Sequence, residues 1–430
     1  MYSIGIDIGT TSICGILIDI KNGSIIKKIE RANDTWIGTK NSWEKIQNPI
    51  EILSVATSIL EELYSCEVIS IGVTGQMHGI VYLDEKGNAV SPLYTWQDER
   101  GNLSYLGSTY AKYINSFAGY GNVTHYYNKL NNLVPKNAKV FCTIHDFVAM
   151  KFCSLVEPII HNSDAASFGQ YDLVTGAWKI HDKLLPKVTP NCLILGNYKN
   201  TPVAVAIGDN QASFIGSVRE PTAILINMGT GSQISVVSDE ISTSDEIETR
   251  PFLNGKYLLV GCSLCGGKTY AVLENFFRTT TELFAGIKLD KVYDIMNVEL
   301  EKECECTLNV DNRFMGTRNH PEITASITGL TVENFSPQQL LLGFIKAMAG
   351  EMFSMYQKIG VKGTSLVGSG NGIKKNKAVV KALEKMFSTQ LKIPDHSEEA
   401  SFGAALFSLI ACGYFEDITD AQKLISYKNI

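Results

Sequence analysis

Charged side chains are scarce in this chain: 19% of its 430 residues, against 45% hydrophobic. So much apolar material predicts large cores and excludes long disordered tails. Lysine and arginine number 38 and acidic residues 44, a net charge of −6. The basic excess that a dedicated nucleic-acid or anionic-membrane binder needs is therefore missing. A small phosphorylated ligand stays compatible, because its charge can be met locally. No apolar run reaches the roughly 18 residues of a membrane span. The opening MYSIGIDIGTTS has neither the basic head nor the small-residue cleavage site of a secretory leader. Ten cysteines in so long a chain are too sparse for a disulfide scaffold, which makes a reducing cytoplasm the expected compartment. No segment is of low complexity.

At roughly 150 residues per domain, the length points to two or three domains. Apolar residues over 3–9 and 13–18, broken by Gly9 and the threonines after it, read as two strands. Lys21-Asn22-Gly23 is a turn signal before a third strand at 24–29. Residues 49–64 carry apolar side chains at helical spacing behind Pro49, and 68–75 (VISIGVTG) is a short strand ending in glycine. This is an α/β layout. Residues 91–200 are less regular, read as an insertion with a helix near 144–153. Order returns at 201–217 with a buried strand running into a helix. The boundary is expected just before Pro221, giving domains 1–217 and 218–430. The second half predicts helices near 268–278, 337–359 and 374–388.

An internal repeat relates the two halves. IGIDIGTTS begins at Ile4 and ILINMGTGS at Ile224, and both contain Gly-Thr-x-Ser after a strand. Gly9, Thr10, Thr11 and Ser12 in the first half match Gly229, Thr230, Gly231 and Ser232 in the second. Glycine lets a ligand approach the backbone, and successive N–H groups and hydroxyls supply donors, which suits a phosphate clamp. Two ordinary tight hairpins are the plainer explanation. Asp7 lies in the first strand, where a carboxylate is costly unless it meets a cation or donors, and beside a phosphate clamp it would position Mg²⁺. Asn227 takes the equivalent place in the second half.

Gly368, Gly370 and Gly372 in VGSGNGIKKN open a strand-to-helix turn where a flat ring such as adenine can approach, with Asn371 beside it. GCSLCGGKT (261–269) has one residue too many for a P-loop and reads as a glycine-lined helix start, Gly267 included. Asp209 ends the run VAVAI (203–207) where a helix begins. A carboxylate there can take a proton from an attacking hydroxyl, or simply cap the helix. Gln76 and His78 in GQMHG, with Trp96, Gln97, Asp98 and Arg100 in TWQDER, combine hydroxyl-binding groups with flat apolar surface, as a sugar pocket does. Cys262, Cys265, Cys304 and Cys306 raise a zinc alternative, although no histidine lies nearby and reduced thiols are expected.

Together the two hairpins and VGSGNG resemble the phosphate and adenosine motifs of the sugar kinase, actin and heat-shock chaperone superfamily. With GQMHG, TWQDER, HNSDAASFGQYDLVTGAW (161–178) and AIGDNQASFIG, the chain resembles the FGGY family of carbohydrate kinases over nearly its whole length. The resemblance implies two ribonuclease-H-like domains flanking a central cleft that takes ATP and sugar and closes on binding. It implies that residues 1–217 bind sugar and 218–430 nucleotide, that Asp209 is the base, and that Asp7 lies by Mg²⁺ and the phosphates. Met77 and His78 would form the ketose-binding pair. Gln76–Gly79 is shared with family members that phosphorylate xylulose, whereas Thr95–Asp98 and Ser369–Asn376 are closer to those that phosphorylate sedoheptulose. The implied acceptor is therefore a ketose, sedoheptulose first and xylulose second, acting as monomer or homodimer. An ATP-binding scaffold on the same fold is the alternative of another class.

Overall fold

The computed structural model of the protein describes residues 1–300 and 305–428. It divides into two compact units, the first comprising Met1–Pro221, Arg250–Tyr257 and Glu398–Ser426. The second comprises Thr222–Thr249, Leu258–Ser397 and Tyr427–Ile430.

In the first unit β1 (Tyr2–Ile8), β2 (Ser12–Asp19) and β3 (Ile25–Ala32) form an antiparallel meander. β4 (Val68–Gly75) lies parallel to β1 on its other side. β5 (Ile194–Tyr198), β6 (Thr201–Ala204) and β7 (Ile207–Gly208) complete the sheet, with β6 and β7 both parallel to β4. Helix α1 (Pro49–Leu63) starts where Asn48 Oδ1 accepts from Ile50 N at 3.0 Å, with Pro49 in its first turn. Its buried stripe of Ile52, Ala56, Ile59, Leu60 and Leu63 joins the isoleucines of β1 and β2 in one core. Each such side chain contributes about 1.5–3 kcal/mol by leaving water. The insertion supplies α2 (Ile144–Phe152) and α3 (Asn162–Ser167), and α4 (Asp209–Ser217) follows β7.

The second unit repeats the strand order. β8 (Ile224–Met228) pairs antiparallel with β9 (Ser232–Ser238), and the edge continues through β11 (Tyr257–Ser263) to β10 (Ile247–Pro251). β12 (Leu366–Ser369) lies parallel to β8, and β13 (Leu391–Lys392) parallel to β12. Its helices include α5 (Gly266–Ala285), α6 (Pro337–Ile359), α7 (Asn371–Lys374) and α8 (Lys377–Phe387). Both sheets set an antiparallel hairpin, β1–β2 and β8–β9, beside a strand parallel to its first member, the arrangement expected of a ribonuclease-H-like domain. β1 and β8 hold equivalent places.

The second half of the sequence is not one continuous body, and this departs from the division at 217/218. Residues 398–426 return to the first unit, where helix Glu399–Ala411 packs on β1, β4 and α4. Glycines make the approach possible. A Cβ at Gly5 would collide with the Ser401 carbonyl, one at Gly72 with Ala404, and one at Gly403 with Ala212. Ser3, Ser70 and Ser408 close the contact with a buried triangle of hydroxyls 2.9–3.2 Å apart. Composition gives no sign of this return, because the helix is apolar all round and would suit any core.

Gly403→Val is expected to destabilise the protein by about 3 kcal/mol, since it overpacks a backbone contact. The chemical-denaturation midpoint of the first unit checks this, read beside the surface control Lys21→Ala.

Candidate active site

The carboxyl ends of β1, β4 and β7 gather most of the residues singled out in the first half. Asp7, near the end of β1, sits opposite Cys14 and Thr74. Burial pushes its carboxyl up to about 7, helped by the negative charges of Asp209 and Glu398. Asp209 is the first residue of α4, and Gly208 occupies the cap position without a side-chain cap bond. The aspartate stands one position inside the cap, and its carboxylate accepts from the Asn210 N–H of the same first turn. Burial raises its proton affinity above the ordinary carboxylate range, while His145, Arg250 and the Asn210 N–H pull it back. Met77 lies against this point: a Cβ at Gly208 would stand 2.6 Å from Met77 Cε.

The first hairpin is held from beneath. Asn33 donates from Nδ2 to the Gly9 carbonyl at 2.8 Å and from its backbone to Thr11 at 2.9 Å, and Gln47 Nε2 donates to the Thr10 carbonyl at 2.9 Å. With three successive carbonyls engaged, the turn has donors rather than acceptors to offer a ligand. Thr11 is exposed and Ser12 half-buried. Thr10 has a second role that its motif does not reveal. Its hydroxyl accepts from Trp96 Nε1 at 3.0 Å and donates to Gln76 Oε1 at 3.3 Å, while Gln76 Nε2 donates to Gln47 Oε1 at 3.0 Å. Trp96, 47% exposed, thus stands against the hairpin, and Gln76 is buried as its support.

His78 adopts a left-handed backbone, φ 73°, uncommon for a residue with a side chain. Its N–H donates to Ser167 Oγ at 3.1 Å, its Nδ1 lies 2.8 Å from the Ser167 carbonyl, and its ring stacks on Tyr120 at 4.4 Å. Asp98 and Arg100 correct the sequence reading. Both are 1% exposed and partner each other, with Arg100 Nε donating to Asp98 Oδ1 at 2.6 Å and Nη2 to Oδ2 at 3.0 Å. Lys45 N also donates to Asp98, Asn128 takes Arg100 Nη1, and the guanidinium lies 4.2 Å over the Tyr94 ring. Burying a charge demands such pairing, so these two brace the turn instead of lining a sugar pocket.

Sequence reasoning passed over several neighbours: Asn33, Gln47, His145, Asp164, Ser163, Ser167 and Arg250. The last six-residue helix before β5 carries three of them, inside a segment noticed only for its family pattern. Thr143-x-x-Asp146 at the start of α2, where each side chain bonds the other, was a legible capping signal beside His145. Arg250 gave none.

The second unit has its own glycine cluster at the ends of β8 and β12. The N–H groups of Gly267 and Lys268 at the start of α5 donate to the carbonyls of Gly229 and Thr230 at 2.9 and 3.0 Å. Gly231 closes the turn, its carbonyl taking the Gly229 N–H at 2.9 Å, and Thr230 is exposed. Any Cβ at Gly267 would strike the Gly229 carbonyl, so Gly267 is small to let helix and hairpin meet. Gly370, φ 81°, turns the chain ahead of Asn371, and a Cβ there would lie 2.6 Å from the Met228 carbonyl. Gly368 does not belong with them. It lies within β12, where a Cβ would meet Leu391 and Ile373, so its role is core packing. Cys262 and Cys265 are in no disulfide and, among the described residues, gather no third metal-binding group. Cys304 lies outside the described residues.

Arg100→Ala should cost about 3–5 kcal/mol by leaving Asp98 buried and unpaired. Thermal unfolding checks this, and a full-strength melting transition would contradict the bracing role.

The profile of the FGGY family of carbohydrate kinases, N-terminal domain, matches residues 2–216. Sedoheptulokinase of Mus musculus is 26% identical, aligned over 95% of this chain and 97% of its own, and that of Homo sapiens is 25% identical over the same shares. The crystal structure of xylulose kinase from Rhodospirillum rubrum superposes with a TM-score of 0.85 at 17% identity, covering 100% of this chain and 93% of the other. That likeness carries the two-domain sugar-kinase fold. The scaffold alternative falls away with these matches: the chain belongs to the FGGY family of carbohydrate kinases, phosphotransferases that use ATP as co-substrate and a sugar hydroxyl as acceptor.

Proposed function

We propose that the protein transfers the γ-phosphoryl group of ATP to the terminal hydroxyl of an open-chain ketose, with sedoheptulose the preferred acceptor. One observation carries the reading: a carboxylate of raised proton affinity, Asp209, heads a helix next to Gly208, against which Met77 packs. A base for an alcohol needs such basicity beside the acceptor's binding segment. Asp209 accepts the proton of the hydroxyl as its oxygen attacks phosphorus in line. His78 and Trp96 contact the ketose, with Gln76 holding Trp96 in place through Thr10. In the first unit the hairpin at 9–12 offers donors to phosphate; in the second, the turn at 229–231 offers donors to phosphate and the turn at Gly370–Asn371 takes the adenine. Excluding water from this chemistry protects ATP from hydrolysis.

The surroundings of Asp7 suit Mg²⁺. Its neighbours Asp209 and Glu398 are negative and hold its proton affinity high, a potential that a divalent cation relieves. When bound there, Mg²⁺ would neutralise charge on the transferring phosphoryl group. Sedoheptulose is preferred because the mouse and human sedoheptulokinases align over nearly the whole chain. The Gln76–Gly79 segment keeps xylulose as the competing acceptor.

Asp209→Asn should lower kcat by roughly 10²–10⁴ with ATP binding nearly intact. Near-normal turnover in that variant would remove the base assignment. In the native enzyme the base acts ionised, so kcat rises with pH through the raised Asp209 pKa. Its acid limb should lie above the ordinary carboxylate range, and Arg250→Met should move it higher still, because Arg250 favours the ionised form. A panel of five-, six- and seven-carbon ketoses and polyols, followed by ADP release, decides the acceptor. The expected result is a higher kcat/KM for sedoheptulose than for D-xylulose, and the reverse order would leave the kinase and replace the sugar.

A further inference from the structure

Helix α3 touches both the ketose segment and the residue before the base. Ser163 and Ser167 stand one turn apart on it, at the i, i+4 spacing that puts two side chains on one face. Ser163 Oγ accepts from the backbone N–H of Gly208 at 3.1 Å, the residue immediately before Asp209. Ser167 Oγ accepts from the backbone N–H of His78 at 3.1 Å, and the Ser167 carbonyl lies 2.8 Å from His78 Nδ1. Neither hydroxyl is free to turn away. Ser163 Oγ is also 2.9 Å from His161 Nδ1, and Ser167 Oγ donates to the Asp164 carbonyl at 2.8 Å.

The helix itself is pinned. Between the two serines, Asp164 Oδ1 meets His145 Nε2 of α2 at 2.9 Å, with both side chains fully buried. A short helix held by a buried carboxylate–imidazole contact cannot slide along its axis without leaving one of them unpaired, which is costly. Both attachment points also need support. Gly208 caps α4 with no side chain to orient it, and His78 holds a left-handed backbone that side-chain-bearing residues seldom adopt.

We propose that α3 is a spacer setting the distance between the ketose-binding segment and the base, with Ser167 positioning His78 and Ser163 positioning Asp209. The inference rests on the assignment of those two residues above and adds the device that relates them. Proton transfer from a chosen hydroxyl requires hydrogen-bond distance between that oxygen and the base, and an error of about 1 Å can cost on the order of 10²-fold in rate. The spacing therefore decides which hydroxyl of the chain is presented. Ser163 and Ser167 are positioning residues. Neither is assigned contact with the sugar.

The two ends should separate kinetically. Using the ketose that the unaltered enzyme turns over fastest in the panel above, Ser163→Ala should lower kcat about tenfold or more with ketose KM within about twofold. Ser167→Ala should raise ketose KM about fivefold with kcat within about twofold, the loss expected of one hydrogen bond. Ser163→Cys, close in volume but a poor acceptor, should match Ser163→Ala and replaces it if that variant does not fold. Unchanged constants in the folded variants overturn the spacer. So does a fall in kcat and rise in KM together, in proportion to lost thermal stability, which marks plain structural support. Asp209→Asn separates the two readings: normal turnover in it removes the base assignment, whereas an inactive Asp209→Asn beside a normal Ser163→Ala removes the spacer alone.

Discussion

The contact of helix Glu399–Ala411 with β1, β4 and α4 is the constraint on which the first unit depends. Four glycines, Gly5, Gly72, Gly216 and Gly403, let backbone meet backbone, and a Cβ at any of them would collide with a carbonyl across the contact. Close-packed interiors transmit small displacements instead of absorbing them. Because α4 begins with Asp209, a shift of the C-terminal helix becomes a shift of that carboxylate. Glu398, at the cap position of the same helix, brings its charge to Asp7. One backbone contact thus sets both the place and the field of the acidic centre.

That centre concentrates like charge. Asp209 and Glu398 raise the proton affinity of Asp7 beyond what burial does, and Asp209 adds to that of the buried Asp164. Partial offsets come from three directions: Lys28 pairs with Glu398, while His145 and Arg250 face Asp209. Folding alone does not favour such crowding, since carboxylates in a core are costly without cations. A protein keeps it where the site gains a proton or a cation during its work. The first hairpin shows the complementary arrangement, its carbonyls at Gly9, Thr10 and Thr11 engaged by Asn33 and Gln47.

Much of the fold was legible because its signals are local. Pro49 and the stripe from Ile52 to Leu63 marked α1, and the apolar run broken at Gly9 marked β1. The repeat at Ile4 and Ile224 anticipated the shared strand order of the two sheets. Asp209 was legible as a carboxylate at a strand end. What misled was side-chain chemistry read without burial: Asp98 and Arg100 looked like sugar contacts, yet two residues apart on a tight turn they close on each other. Gly368 looked like part of a ligand turn and is a packing glycine one strand position too early.

By itself the sequence determined the elements, the two glycine hairpins and the family pattern, since periodicity and turn chemistry belong to a few consecutive residues. Tertiary structure alone decided which polar groups are engaged and which are left to act. Thr10 turned out to serve Trp96 and Gln76, Ser163 to hold the residue before Asp209, and Arg250 to face Asp209 from another segment. Hydrogen bonds and charges join residues far apart in the chain, and a neighbour that arrives only by folding leaves no mark on the residues around it.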